Sequence, residues 1–394
     1  MDRILRETLA ALPKLNEASG TAKTCKLCSG CAPLFDIVDF NKFCSNDPYG
    51  FGASGVQVPY YRCKECQFLF TDFTDDWVPG DFSRFIYNDD YTRVDPEYAG
   101  ARAARDADHL RSLAAGCEGC RILDYGSGSA QFSQQMKRFG FVNMFNYDPI
   151  SSPSIPPGHF DLITCFEVLE HSPDPLKTIA EIHELLASGG AVIVSEVLQP
   201  SNIEELRGSW WYLAPRNGHV STYSDFTFGF LSEKFNLDYY RGAWFVFARK
   251  SLNEAVRQVV ARIGTRVKTI QLSPSSLGGD SHWHGVEVHD GIMKFRWTAQ
   301  SECIWPRQGC AAGLNRIRIP FLMEIVEGFA AQCRVFVGGA EATSTIDGHA
   351  IIAEISLPKA ALRDIVLRTP TPLTPQALHN IADERRLGLA IPFG

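Results

Sequence analysis

No stretch of this 394-residue chain approaches the ~20 consecutive apolar residues that a membrane-spanning helix needs. The opening segment, MDRILRETLAALPKLNEAS, carries acids and has neither an unbroken apolar core nor a small-residue cleavage site, so it does not read as a secretory leader. A cytosolic protein is expected. Basic excess is missing too: 38 Lys and Arg stand against 45 Asp and Glu, a formal net charge of −7, with the acid surplus in the first 250 residues. A protein that grips a nucleic-acid backbone presents a basic face, so this balance argues against DNA and RNA as partners. Tandem repeats and low-complexity tracts do not occur, and 45% apolar with 21% charged residues are the proportions of an ordinary globular chain. At roughly 150 residues per domain, the length suggests two or three domains.

Twelve cysteines in a large chain without a leader point to thiols or metal ligands rather than a disulfide framework. Cys25 and Cys28 form one C-x-x-C and Cys63 and Cys66 a second, and two such knuckles can fold back to place four thiolates around one tetrahedral Zn²⁺. A closed shell of that kind is structural, with no open position for chemistry. Cys31 and Cys44 lie between the knuckles, and either can replace a ligand. Cys117 and Cys120 form a third C-x-x-C with no second pair nearby and read as incidental thiols at a domain edge.

Patterning divides the chain into a helical arm (1–24), a zinc-binding module (25–75), a helical connector (76–115), an α/β domain (116–250), a helical linker (251–280) and a β-rich accessory domain (281–394). Residues 96–115, PEYAGARAARDADHLRSLAA, hold Ala, Leu and charged side chains in helix-forming proportion. Strand and helix patterns then alternate from 121 to about 250, starting with RILDY, which implies a mostly parallel sheet. Beyond 281, short runs such as RVFVGG and AIIAEISL, separated by turn residues, read as a β-sandwich. The expected fold class is therefore α/β: a Rossmann-like domain with an N-terminal zinc ribbon and a C-terminal β-sandwich-like domain.

RILDYGSG, residues 121–128, is a strand running into a glycine loop, and the helical AQFSQQMK follows. Glycines let a ligand approach the backbone, and a helix N-terminus offers it unpaired N–H groups. Asp148, at the end of the next strand-like piece, is placed to accept hydrogen bonds from a ribose diol. A nicotinamide site would want a further glycine three residues after Gly128, where Gln131 stands.

LDYGSGSA, NYDP, FDLITCFEVLEHSPDP and LLASGGAVIVSE, in that order, resemble the motifs of class I S-adenosylmethionine-dependent methyltransferases across about 121–250. The resemblance implies that Asp124, Gly126 and Gly128 contact the cofactor, with the glycines facing its methionine portion. It further implies that Asp148 holds the ribose hydroxyls and that the segment after Thr164, with Phe166, borders the sulfonium. Only SSPSIPPGH separates Ile150 from Phe160, so the third strand of such sheets, with its adenine contact, is expected to be shortened or missing. A cysteine-paired module ending YRCKECQFLFTD, then IYNDDY and PEY, is similar to bacterial methyltransferases of deoxysugars and cell-surface glycans. In those proteins the segment matching Ile86–Tyr91 covers the cofactor, which makes Tyr87 and Tyr91 candidate lid residues, against a packing role.

After the fifth strand comes SWWYLAPRNGHVS, residues 209–221, in the position where a doubly wound sheet places its ligands. Trp210, Trp211 and Tyr212 are candidates to stack on a sugar ring, against interdomain packing. His219 is the first candidate for a general base, His171 the rival, and Glu167 and Glu170 are candidates to orient either imidazole. The expected function is S-adenosylmethionine-dependent O-methylation of a sugar hydroxyl, on a nucleotide sugar or glycan acceptor, beside a structural zinc. A sugar C-methyltransferase and a glycan-binding protein with a vestigial methyltransferase fold are the alternatives. Related sugar C-methyltransferases resemble a second α/β domain at the tail, so the β-rich tail favours oxygen. Neither the acceptor's identity nor the oligomeric state has a signature in the sequence.

Overall fold

The structure, a computed structural model, describes residues 22–45, 51–200, 202–272, 283, 287–289, 293–310, 313–374 and 387–393. Most of the expected helical arm, 1–21, lies outside them. The chain divides into two compact units, Met1–Thr265 and Arg266–Gly394.

In the first unit, β1 (Ala22–Thr24), β2 (Cys31–Asp39), β3 (Gln57–Arg62) and β4 (Leu69–Phe70) pair antiparallel. The end of the expected arm is thus strand rather than helix: Thr24 lies opposite Cys31, so the first knuckle is the turn of a hairpin. Helices Pro79–Phe85, Tyr91–Val94 and Ala101–Leu113 follow. β5 (Ile122–Tyr125), β6 (Met144–Tyr147), β7 (Phe160–Phe166) and β8 (Leu186–Ser195) are parallel, in the spatial order β6-β5-β7-β8. Every residue of β5 is buried, as expected of a parallel strand covered on both faces. The chain runs from β6 to β7 through residues 148–159 without another strand, so the third strand is missing, as the short spacer implies.

β9 (Ser221–Thr222) leaves this sheet and pairs with β4, whereas β10 (Asp238–Gly242) and β11 (Phe245–Ala248) extend it antiparallel beyond β8. The cysteine module is therefore built into the unit rather than appended to it. Thr227 Oγ1 donates to the Cys66 carbonyl at 2.8 Å, and Gln199 Nε2 donates to the carbonyls of Gln67 and Thr222 at 3.0 and 3.1 Å.

The segment read as a linker is corrected in two ways. Helix Glu254–Ile263 buries Val256, Val259, Val260 and Ile263, an i, i+3, i+4, i+7 stripe, in the core it shares with Ile122, Leu162 and Ile193. It belongs to the α/β unit, and residues 264–271 after it are strand, not helix. Cys117 and Cys120, read as incidental thiols, are joined by a disulfide just ahead of β5.

The second unit is β-rich, as its turn-punctuated runs imply. Glu302–Cys310, Ala361–Arg368, Arg334–Val337, Ala340–Ile346, Ala350–Leu357 and Gly313–Pro320 pair antiparallel in that order. Met293–Trp297 and Leu389–Phe393 belong to a second, four-stranded sheet. Val267–Gln271 joins Leu314–Arg318 in parallel, a departure from a purely antiparallel sandwich. Trp305, Val335, Ile365 and Ile391 are buried in one core. Among the described residues, no helix is long and apolar enough to cross a membrane.

Candidate functional site

β5 ends in the glycine loop, where Gly126 and Gly128 both take left-handed backbone, φ +79° and +49°. A Cβ on Gly126 would lie 2.3 Å from Val168 Cγ2, so both conformation and space require glycine there. Around Gly128 a Cβ would meet no atom of the described residues within 4 Å, which leaves the backbone open to a ligand. Three buried polar atoms in and beside this loop have no hydrogen-bond partner among the described residues: Asp124 Oδ2, Ser127 Oγ and Asn146 Oδ1. Asp148 ties β6 to the loop. Its Oδ2 accepts from Gly128 N–H at 3.0 Å, and its Oδ1 accepts from Ile150 and Ser151 N–H at 3.0 and 2.8 Å. Oδ2 therefore keeps a lone pair for a further donor.

Asp124 is sealed beneath the loop, with Oδ1 accepting from Thr164 Oγ1 at 3.1 Å. Burial pushes its carboxyl up to about 7. A carboxyl raised in the folded state contributes stability at acid pH that is lost as pH climbs towards 7. Asp124→Asn is therefore expected to stabilise the cofactor-free protein by roughly 2–4 kcal/mol at pH 8 and by little near pH 4. Thermal melts of both proteins across that range check it; a variant that melts below the parent at pH 8 contradicts it.

Beside the loop, Phe166 packs on Phe132 at 5.3 Å and stacks on Trp244 at 4.9 Å, linking the helix after the glycine loop to a cleft of about 300 Å³. Arg102, Glu167, Ser195, Glu196 and Trp244 line the cleft. Glu167 follows directly on β7 in left-handed backbone, φ +54°, an unfavourable conformation for a side chain with a Cβ and one that concentrates at functional sites. Ser195 Oγ accepts from Glu167 N–H at 2.9 Å and donates to Glu167 Oε1 at 3.1 Å. Arg102, held bidentate by Asp95 at 3.0 Å, stands 3.7 Å from Glu167 Oε2. Burial, with the Glu170 charge beside it, pushes the Glu167 carboxyl up to about 7.

The expected acceptor loop is arranged differently from an open platform. Trp210 and Tyr212 are each 3% exposed and only Trp211, at 51%, faces solvent. None of the three lines the cleft. Tyr212 instead donates its hydroxyl to Glu170 Oε1 at 2.8 Å and lays its ring 4.1 Å from that of His219. His219, the first candidate for the base, is 4% exposed, and burial holds its imidazole well below the usual histidine range. His171 stands beside it, ring centroids 5.2 Å apart, and keeps 18% of its side chain accessible.

The candidate lid is clamped to this loop: Arg216 donates to Ile86 O and Asn88 Oδ1 at 2.9 and 3.0 Å, and Tyr91 donates its hydroxyl to Asn217 O at 3.1 Å. Tyr91 is buried, while Tyr87 packs against both Tyr91 and His171, 5.0 and 6.1 Å away. Sequence reasoning missed Glu196 and Arg102. Glu196 follows the apolar run of β8 just as Glu167 follows β7, and that parallel was the available signal.

The sulfurs of Cys25, Cys28, Cys63 and Cys66 all lie within 4.8 Å of one another. Backbone N–H groups of Leu27, Gly30 and Glu65 each donate to a cluster sulfur at 3.4 Å, which stabilises thiolate charge. Cys31 is exposed, and Cys44 sits 3.7 Å from His219 Nδ1, so neither belongs to this cluster of four sulfurs.

The family model described as a methyltransferase domain matches residues 97–241. A ubiquinone biosynthesis O-methyltransferase of Psychrobacter arcticus is 28% identical over 118 residues, covering 23% of this chain and 46% of the relative. Its counterpart in Pseudomonas aeruginosa strain LESB58 is 31% identical over 108 residues, covering 21% and 47%. The chain thus spans about half the length of the curated relatives it matches. Among solved structures, an O-methyltransferase family protein from Burkholderia thailandensis aligns with a TM-score of 0.33 at 12% identity, over 44% of this chain and 63% of that one. An O-methyltransferase family 2 protein from Planctomyces limnophilus, solved with apigenin, aligns with a TM-score of 0.26 at 14% identity, over 44% and 74%. The glycine loop and the parallel sheet order lie inside the matched span, residues 97–241, which thus carries a methyltransferase domain.

Proposed function

We propose that this protein transfers a methyl group from S-adenosylmethionine to a sugar hydroxyl of a nucleotide sugar or glycan. The observation that carries the reading is the placement of Glu167, in left-handed backbone at the end of β7, in a polar cleft and directly before Val168, which lies against Gly126 of the glycine loop. The spare lone pair of Asp148 fits a cofactor that offers hydroxyl donors, and the open backbone at Gly128 gives it room. That cofactor supplies an electrophilic methyl group. The chain's own residues position and deprotonate. Glu167 accepts the hydroxyl proton, Ser195 and Arg102 hold its carboxylate in place, and Phe166 and Trp244 wall the path. This moves the base from His219, which is buried behind His171, to a carboxylate that faces the cleft.

A cleft lined by three carboxylates, two arginines and a serine beside one tryptophan face suits the mixed polar and apolar surface of a sugar ring. The similarity to ubiquinone biosynthesis O-methyltransferases favours a second reading, a hydroxyl on an aromatic ring. Mass spectrometry of nucleotide-sugar, glycan and quinone pools, with and without the gene, separates the two: the sugar reading expects species heavier by one CH₂ in the first two pools only. A difference confined to the quinones overturns it. The four cysteines we assign to a structural Zn²⁺.

A further inference from the structure

We propose that Glu170, His171 and His219 hold a first-row divalent cation, forming a second metal site separate from the four cysteines. One ligand atom from each of the three lies within 4.8 Å of the other two. Nδ1 of His219 is 2.9 Å from the Tyr212 carbonyl, and Nδ1 of His171 is 3.1 Å from the Gly218 carbonyl. A carbonyl oxygen only accepts, so each Nδ1 carries the hydrogen and each Nε2 presents a lone pair. That of His171 stands 4.0 Å from Glu170 Oε1. Glu170 is wholly buried; its Oε1 accepts the Tyr212 hydroxyl, and its Oε2 has no hydrogen-bond partner among the described residues.

Glu170 Oε2 is therefore a buried acceptor with no donor among the described residues, and a desolvated acceptor left unpaired is costly. Nearby, Glu196 Oε2 is a further buried carboxylate oxygen with no partner among the described residues, so the surroundings carry acid to spare. A positive occupant resolves both. Two imidazoles and a carboxylate suit zinc and its first-row neighbours, and three protein ligands leave a position open for water or an acceptor oxygen. The supports are those of metal ligands: each imidazole donates its far N–H to a backbone carbonyl, and the carboxylate is held by a tyrosine hydroxyl. Bonds of about 2.0–2.2 Å to the metal require the three groups to draw in by roughly 1 Å or less. Gly218, at φ +90°, lets this happen, since a Cβ there would lie 3.0 Å from His171 Nδ1. Cys44 approaches His219 on its Nδ1 side and is not part of the set. A role for the cation in polarising an acceptor hydroxyl rests on the methyl-transfer reading; the site itself does not.

The test is a Co²⁺ titration of the full chain with its cysteine site already loaded with zinc. One further equivalent is expected to bind, giving visible d–d absorption without a thiolate charge-transfer band. His171→Ala and Glu170→Gln are expected to weaken that binding at least ~100-fold, and Gly218→Ala, which only displaces an imidazole, by a smaller factor. Thermal melts and S-adenosylmethionine affinity on the same samples show that the variants are folded. No second equivalent in the parent, or one bound equally well by folded His171→Ala and Glu170→Gln, overturns the proposal. Cobalt binding without S-adenosylmethionine binding supports the site and removes the methyl-transfer reading; the reverse overturns the site alone.

Discussion

Replacing Cys28 and Cys63 together by serine is expected to abolish methyl transfer and to lower the melting temperature of the first unit sharply. The four sulfurs close a hairpin turn onto a second turn. A structural zinc supplies on the order of 10–16 kcal/mol of apparent binding free energy in small zinc-folded peptides, more than the usual net stability of a whole domain. The loss does not stay local. Cys66 O receives the Thr227 hydroxyl, Gln67 is bonded to Gln199 and Ser224, and β4 pairs with β9, which follows His219. The acceptor side should therefore loosen, while the glycine loop, anchored on β5 and β6, retains cofactor affinity to within about tenfold. Elemental analysis of the parent should find about one zinc per chain at the cysteines. A metal-free parent with the same melting temperature and rate would refute the assignment.

Glu167→Gln is expected to lower the turnover rate by roughly 10²–10⁴ with cofactor affinity nearly unchanged, the range seen for removing a positioned base. The amide preserves shape and the Ser195 contacts but accepts no proton. Because burial raises this carboxyl to about 7, the parent holds the proton below that pH and is base-competent above it. Its rate should climb through about pH 7, and that acid limb should vanish in the variant. If the limb persists in Glu167→Gln and disappears in His219→Ala or His171→Ala, the base is an imidazole.

The parallel core was legible because its strands are short apolar runs bounded by glycines and acids, and the missing third strand followed from the length of SSPSIPPGH alone. β2 was not, because its register slips between Leu34 and Asp36 and its buried positions do not alternate. β9 is two residues long, and its partner, Leu69–Phe70, lies far upstream in the cysteine module, so no local pattern announces it. At the site, sequence gave the types and order of Glu167, Glu170, His171 and His219 but not their depth. Burying Trp210, Tyr212 and His219 while leaving His171 and Glu167 reachable is a tertiary outcome, set by Arg216 and Tyr91 fastening the 86–91 segment over the loop.

The central claim is that the glycine loop and Asp148 bind S-adenosylmethionine. Isothermal titration calorimetry of the full chain and of Asp148→Ala tests it most directly. The account predicts about one equivalent bound by the parent, and a loss of roughly 1.5–3 kcal/mol, or 10- to 150-fold in affinity, when the carboxylate acceptor is removed. A parent that binds no S-adenosylmethionine, or a variant that binds it as tightly as the parent, would contradict it.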